Sequence, residues 1–201
     1  STPAGQLPAD EALLVADLLI RLGRGAESDP YVARAAKGAG DTSLGARYLR
    51  TRLDLARGNS TAYHAGIAAL EASSGASKWR LQTLADLARA AEGRPSEAAL
   101  RAYMRYRAAA GEAAEIGPLW REAWTAYDLG HRNEADSAMR RVLARADAPG
   151  GVRAAAHYWA GRLAETDGKP GVARAHYLEV ASRYPNHYYG GLAAKRLGLP
   201  L

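Results

Sequence analysis

Histidines are the first residues in this chain that could bind a metal or transfer a proton, at positions 64, 131, 157, 176 and 187. None forms an H-x-x-x-H or H-E-x-x-H pattern, so no pair has the spacing of two zinc ligands on one helix. His157 and His176 could meet across a helical hairpin, where two ordinary boundary histidines explain them better than a bridging metal. Cysteine is absent, which excludes thiolate ligands and disulfide bonds. The sequence predicts no metal site.

Glutamates could cleave a glycosidic bond, because that reaction uses a carboxylic acid whose pKa is raised by an apolar pocket. The candidates lie in amphipathic helix patterns beside Arg or Lys, where surface i,i+4 pairs explain them: Glu97, Glu122, Glu134, Glu165 and Glu179. The chain also has no G-x-S-x-G elbow and no phosphate-binding glycine loop. We therefore expect no catalytic residue and no cofactor in this chain.

Aromatic residues are the strongest candidates for a binding surface. Trp120, Trp124 and Tyr127 follow i, i+4, i+7 spacing, and Tyr158 and Trp159 occupy the matching place one repeat later. Core packing is the simpler interpretation, since the chain has no phenylalanine to fill large-volume positions. If part of this stripe faces a groove, the rings could bind sugars or a partner helix.

Composition favours a helical, globular protein. The 201 residues are 48% hydrophobic, and Ala, Leu and Arg, which enter helices at little cost, dominate the sequence. No apolar run reaches the roughly 18 to 20 residues of a membrane span. The net charge of +6 would attract polyanions, although a solvated Arg-rich helical surface is the better explanation, and we expect no nucleic-acid partner. The chain starts at Ser1 with a loose stretch over 1–8, which we interpret as a processed or trimmed terminus.

Glycines recur at the ends of helical patterns, at positions 23, 58, 93, 130 and 168, with intervals of 35, 35, 37 and 38 residues. Each follows one apolar-periodic run and precedes another, which indicates a helix, a left-handed glycine cap and a second helix packed on the first. Pro30, Pro95, Pro118 and Pro170 are expected just before helices, and Pro185 is expected to end one.

The two C-terminal units align best with each other, with small residues where two helices would cross and a large one where each pair would meet its neighbour. The aligned pairs are Ala123 with Gly161, Ala135 with Ala173, and Met139 with Tyr177. Their spacing resembles the tetratricopeptide repeat, whose pattern is matched by Gly161, Gly168, Ala173, Tyr177 and Pro185. The N-terminal half fits this pattern less well.

The predicted fold is all-α, a right-handed superhelix of antiparallel helix pairs that forms one domain over 1–201, with the best-formed repeats over 117–198. Eleven helices are expected, at 9–22, 30–38, 43–57, 60–73, 77–92, 95–110, 117–129, 132–146, 151–167, 170–183 and 187–197.

The last 45 or so residues resemble the end of the superhelical α-domain of soluble lytic transglycosylases of Gram-negative bacteria. The resemblance rests on a Tyr-Trp-x-(Ala/Gly)-Arg helix, a Gly-Lys-Pro turn and a final Tyr-Tyr-Gly-x-x-Ala-x-x-x-Leu-Gly segment. In this chain the elements are Tyr158 to Arg162, Gly168 to Pro170, and Tyr188, Tyr189, Gly190, Ala193, Ala194, Leu197 and Gly198.

The resemblance implies a periplasmic, non-catalytic scaffold that contacts peptidoglycan or positions a lysozyme-like domain following Leu201. That family uses a catalytic glutamate in a Glu-Ser motif, but Glu27 and Ser28 are expected in a turn near the N-terminus and receive no such role. Tyr188 and Tyr189 are expected to open the last helix and pack under it, with a direct ligand role as the alternative. An autonomous tetratricopeptide-like scaffold for a protein partner is the second hypothesis for the whole chain.

Overall fold

A computed structural model describes residues 3–73, 77–90 and 96–199. In these ranges there are no strands, and the α-helices number eleven, as predicted. They are α1 (Ala9–Arg21), α2 (Gly25–Ala35), α3 (Gly40–Ala56), α4 (Ser60–Glu71), α5 (Lys78–Ala90), α6 (Glu97–Ala110), α7 (Ile116–Asp128), α8 (Arg132–Ala144), α9 (Gly150–Thr166), α10 (Pro170–Arg183) and α11 (Tyr188–Leu197). None of these helices is both long and apolar enough to cross a membrane.

The start of α2 differs from the prediction, because the helix begins at Gly25 and Pro30 lies inside it. Two side chains hold its first turn: the Arg24 guanidinium lies 2.6 Å from the Glu27 carboxylate, and the Ser28 hydroxyl donates to the Gly25 carbonyl at 2.6 Å. Both contacts lie in the turn that precedes Pro30, which cannot donate a backbone hydrogen bond to it. The expected turn at positions 27 and 28 is therefore wrong, since both residues are helical.

The N-terminal stretch is more ordered than predicted. Ala4–Gln6 forms a 3-10 turn, and the Arg34 side chain on α2 donates a hydrogen bond from Nε to the Leu7 carbonyl at 2.6 Å. Leu7 also packs against the neighbouring apolar core. The prediction of a loose terminus is thus wrong for residues 4–7.

The glycine caps are confirmed at four of the five predicted positions. Gly23, Gly58, Gly130 and Gly168 have φ between +68° and +78°, and each follows the last turn of a helix. A residue with a Cβ is strained in this conformation, which explains glycine at these turns. The fifth predicted cap, at position 93, and the proline at position 95 lie outside the described residues.

The chain divides into two compact units, residues 1–87 and 88–201. In the first unit α1 packs on α2 and α3 packs on α4, and α3 also contacts both α1 and α2. Its core is formed by Ala12, Leu13, Ala16, Val32, Ala35, Ala46, Tyr48, Leu49, Leu53, Leu70 and Trp79. The predicted single superhelical domain over 1–201 stays a prediction.

In the second unit α7 pairs with α8 and α9 pairs with α10, while α8 packs on α9 and α11 packs on α10. The predicted crossing residues lie in these contacts, since Ala123, Ala135, Met139, Gly161, Ala173 and Tyr177 are all buried. A Cβ on Gly161 would lie 2.7 Å from Cε1 of Tyr177, so the aromatic ring rests directly on the glycine. Both hairpins are tetratricopeptide-like.

The turn between α10 and α11 depends on Gly190 in the same way. A Cβ at this position would overlap the Tyr184 carbonyl oxygen and lie 2.9 Å from that of Pro185. Because these atoms belong to the backbone, no side-chain rotation could make room. Gly190 thus lets the first turn of α11 lie against the segment that ends α10.

Replacing Gly161 with alanine is predicted to destabilise the second unit by about 1–3 kcal/mol, because the added methyl group displaces the buried Tyr177 ring. Urea unfolding followed by circular dichroism measures the change. The matched control is Gly171→Ala on α10, where the new Cβ meets nothing within 4 Å and helix propensity favours alanine by up to about 1 kcal/mol. Equal stabilities of the two variants would contradict the close crossing.

Candidate functional site

Five aromatic side chains form a continuous row across α7, α9 and α11 in the second unit. This aromatic row consists of Trp120, Trp124 and Tyr127 on α7, Trp159 on α9 and Tyr189 on α11. Neighbouring ring centroids are 6.4 Å apart for Trp120–Trp124, 5.7 Å for Trp124–Tyr127, 4.9 Å for Trp124–Trp159, 4.8 Å for Tyr127–Trp159 and 6.5 Å for Trp159–Tyr189. These separations are typical of offset-stacked and edge-to-face aromatic contacts.

Each ring of the row is half-buried, so the row is neither fully core nor fully surface. Trp120, Tyr127 and Trp159 pack against one buried cluster and Tyr189 against the next, and each ring keeps part of its surface accessible. Trp159 lies at the centre, where its indole N–H donates to the Tyr189 hydroxyl at 3.3 Å. His187 stacks on the Tyr189 ring at an interplanar angle of 14° and restricts its motion further.

The other two predicted aromatic residues lie elsewhere than on the row. Tyr158 is only 4% exposed and packs beneath the row against Tyr177, which corrects its assignment to a binding surface. Tyr188 opens α11 as predicted, but its side chain is 73% exposed and does not pack under the helix. Its neighbour Tyr189 fulfils that packing role, because one step along a helix turns the side chain by about 100°.

Glu122 is the one candidate carboxylate that is buried, and its predicted place on the surface is wrong. Its side chain lies between three helices, where Arg107 of α6 donates from Nε to both carboxylate oxygens at 3.0 Å. Arg141 of α8 donates to the same carboxylate at 2.8 Å. Two guanidinium groups neutralise this carboxylate, and it acts as a structural ion pair that joins α6, α7 and α8.

Three of the remaining candidate carboxylates form surface pairs, and the fourth, Glu134, is exposed. Glu97 contacts His131 at 2.7 Å, Glu179 pairs with Arg183 at 2.8 Å, and Glu165 lies 3.2 Å from Arg196 on α11. None of them lies in an enclosed apolar pocket of the described residues. The prediction of no catalytic carboxylate stays a prediction.

Replacing Glu122 with glutamine is predicted to destabilise the second unit by about 2–4 kcal/mol, because it leaves two guanidinium groups without their shared anion. Thermal or urea unfolding measures the loss. The exposed Glu134→Gln on α8 serves as the control and should change stability by less than about 0.5 kcal/mol. Equal effects of the two substitutions would show that Glu122 is not a bridge between helices.

His157 and His176 meet across the α9–α10 hairpin, as the sequence allowed. Their Nδ1 atoms are 3.0 Å apart, so one ring donates and the other accepts, and the two imidazoles have opposite tautomers. Burial lowers the pKa of both rings, and the proximity of His176 lowers that of His157 further. The described residues contain no cluster of three or more metal-ligating side chains, and this pair fits a neutral hydrogen bond between helices.

Lowered histidine pKa values make the stability of the second unit sensitive to acid. Below about pH 6.5 the unfolded histidines take up protons that the folded pair resists, so stability is present above that pH and is lost as the pH falls. We predict that His157→Gln with His176→Gln reduces the loss of unfolding free energy between about pH 7.5 and pH 5. His64→Gln, an exposed histidine on α4, should leave the loss unchanged. An unchanged loss in the double variant would contradict this assignment.

The sequence prediction missed a recessed surface, which lies in the first unit between α1, α3 and α5. Its walls include Leu14, Tyr48, Arg52, Lys78 and Trp79. One signal was visible in the sequence, since leucines recur at i, i+4, i+8 on α1 in addition to those that enter the core. The sequence pattern did not predict that these leucines would lie beside cations of α3 and α5, because that placement depends on how the helices pack.

No protein-family model matches the sequence, and no curated protein has significant similarity to it. Among solved structures, a thermophilic tetratricopeptide-repeat protein of Thermus thermophilus matches with a TM-score of 0.45 and 19% sequence identity, over 96% of this chain and 100% of that chain. A match at this level assigns neither family nor function. The tetratricopeptide-like character of the hairpins therefore rests on their own helix contacts.

Proposed function

We propose that this chain is a non-catalytic scaffold that binds a partner protein through the aromatic row. The observation that carries the proposal is the row itself, five half-buried rings in contact with one another on α7, α9 and α11. Fully buried rings would serve only the core, and scattered exposed rings would form no continuous surface. Large accessible aromatic side chains are the groups that contribute most to protein interfaces.

The fixed geometry of the row supports this role. Ring-to-ring contacts and the Trp159–Tyr189 hydrogen bond hold the side chains in one arrangement before any partner arrives. A partner would therefore immobilise few additional side-chain torsions on binding, which lowers the entropic cost of association. Tyr188, which is 73% exposed and contacts Tyr189 at 5.2 Å between ring centroids, extends the same surface towards solvent.

A second candidate function is an accessory domain of a periplasmic peptidoglycan lytic transglycosylase or a relative. The specific observation in its favour is that residues of the C-terminal resemblance meet in one place. Trp159 and Tyr189 are neighbouring rings of the row, while Gly161 and Gly190 allow the close packing that supports it. Flat aromatic faces suit sugar rings, and the net charge of +6 suits an anionic wall polymer.

One cross-linking experiment separates the two candidates. A photoreactive benzoylphenylalanine replaces Tyr188. As the control it replaces Leu178, which is exposed on α10, a helix that carries no ring of the row. After irradiation in the source cells, we expect position 188 to form one discrete protein adduct that position 178 does not form. Its yield should fall at least tenfold when Trp124 is also replaced by alanine, because the row then loses the ring that connects Trp120 with Trp159.

The other outcomes of the experiment are equally informative. An adduct with glycan fragments at position 188, which weakens as the salt concentration rises, would support the transglycosylase candidate and a periplasmic location. Adducts of equal yield and identity at both positions would contradict any binding role of the row.

A further inference from the structure

The recessed surface in the first unit, here the α1/α3/α5 groove, has an aromatic floor and a basic rim. Its volume is about 280 Å³, and Tyr48 and Trp79 form the floor, where their ring centroids are 5.4 Å apart. Both rings are more than nine-tenths buried. The Tyr48 hydroxyl donates to the Asp86 carboxylate at 2.6 Å, and burial together with this carboxylate raises the pKa of the phenol.

Two cations on the rim of the groove have no carboxylate partner in the described part of the chain. The Arg52 guanidinium lies 5.9 Å from the centroid of the Tyr48 ring, and the Lys78 ammonium lies 4.7 Å from that of Trp79. The nearby acidic groups are already engaged, because Asp17 pairs with Arg21 at 2.7 Å and Asp86 accepts from Tyr48. The groove therefore presents a net positive charge above an aromatic floor.

An exposed leucine stripe continues from one wall of the groove along α1. Leu14, Leu18 and Leu22 are 68%, 57% and 61% exposed, whereas large apolar side chains are usually covered in a folded protein. Leu14 and Leu18 lie on α1 and Leu22 is the residue that follows it, and their i, i+4, i+8 spacing places them on one side over a length of about 12 Å. Leu14 belongs to both features, so the groove and the stripe form one surface.

We propose that the α1/α3/α5 groove and the leucine stripe bind an acidic amphipathic helix of a partner protein. The apolar face of that helix covers Leu14, Leu18 and Leu22, and its carboxylates pair with Arg52 and Lys78. Two turns of helix match the length of the stripe, and apolar residues spaced i, i+4 interlock with leucines of the same spacing. This site lies within the first unit, so it does not depend on the role proposed for the aromatic row.

Charge complementarity decides between this occupant and the alternatives. A basic helix would place like charges against Arg52 and Lys78, and a purely apolar segment would bury both ammonium and guanidinium groups without a partner. A carboxylate that reaches either cation gains from the aromatic floor beneath it, because the ring and the anion attract the same cation from opposite sides.

The proposal is tested by fluorescence anisotropy with the full chain and a labelled helical peptide of about 16 residues. The peptide carries leucine at i, i+4 positions and glutamate elsewhere. A control peptide carries lysine in place of each glutamate. We expect saturable binding of the glutamate peptide only. Arg52→Glu and Lys78→Glu should each weaken that binding at least tenfold, and Leu18→Asp should do the same.

Arg47→Glu is the matched control, because Arg47 is exposed on α3 like Arg52 but lines a different recess, between α2, α3 and α4. It should change the affinity less than twofold. Circular dichroism confirms that each surface variant is folded. Equal weakening by Arg47→Glu and Arg52→Glu would contradict the proposal, because it would show that only net charge attracts the peptide. Equal binding of the lysine peptide would overturn the proposal, and so would a failure of the glutamate peptide to bind.

Discussion

The close contact between Gly161 and the Tyr177 ring is the constraint on which the second unit depends. With no Cβ at position 161, α9 and α10 approach closely enough for the ring to be buried between them. The same hairpin brings Nδ1 of His157 to 3.0 Å from Nδ1 of His176. A single small residue thus allows the close packing of the hairpin whose first helix carries Trp159, the central ring of the aromatic row.

Much of the fold could be predicted from the sequence, because turn chemistry is local. Glycines at regular intervals predicted left-handed caps, and four of them have positive φ in the described residues. The start of α2 could not be predicted in this way, since Pro30 usually marks the beginning of a helix but lies inside this one, after a first turn that contains the contacts of Arg24 and Ser28.

The candidate site was harder to predict, because burial depends on which helices lie opposite. Periodicity placed Trp120, Trp124 and Tyr127 on one face but could not distinguish that face from the core. The sequence around Glu122 has the same surface helix pattern as that around the other candidate glutamates. In the structure, however, guanidinium groups from two other helices enclose its carboxylate. The shared ion pair and the aromatic contacts both join successive helices. They therefore hold the rings of the row in a fixed arrangement before a partner binds.

The most direct test of the row as a binding surface is a two-dimensional NMR spectrum of the indole N–H groups. The chain has four tryptophans, of which Trp120, Trp124 and Trp159 lie in the row and Trp79 lies in the first unit. The spectrum is recorded while the partner captured at position 188, or soluble glycan strands, is added. We predict that the three row signals shift together while the Trp79 signal stays in place. A shift confined to Trp79, or no shift of the row signals at saturating partner, would contradict a binding role of the row.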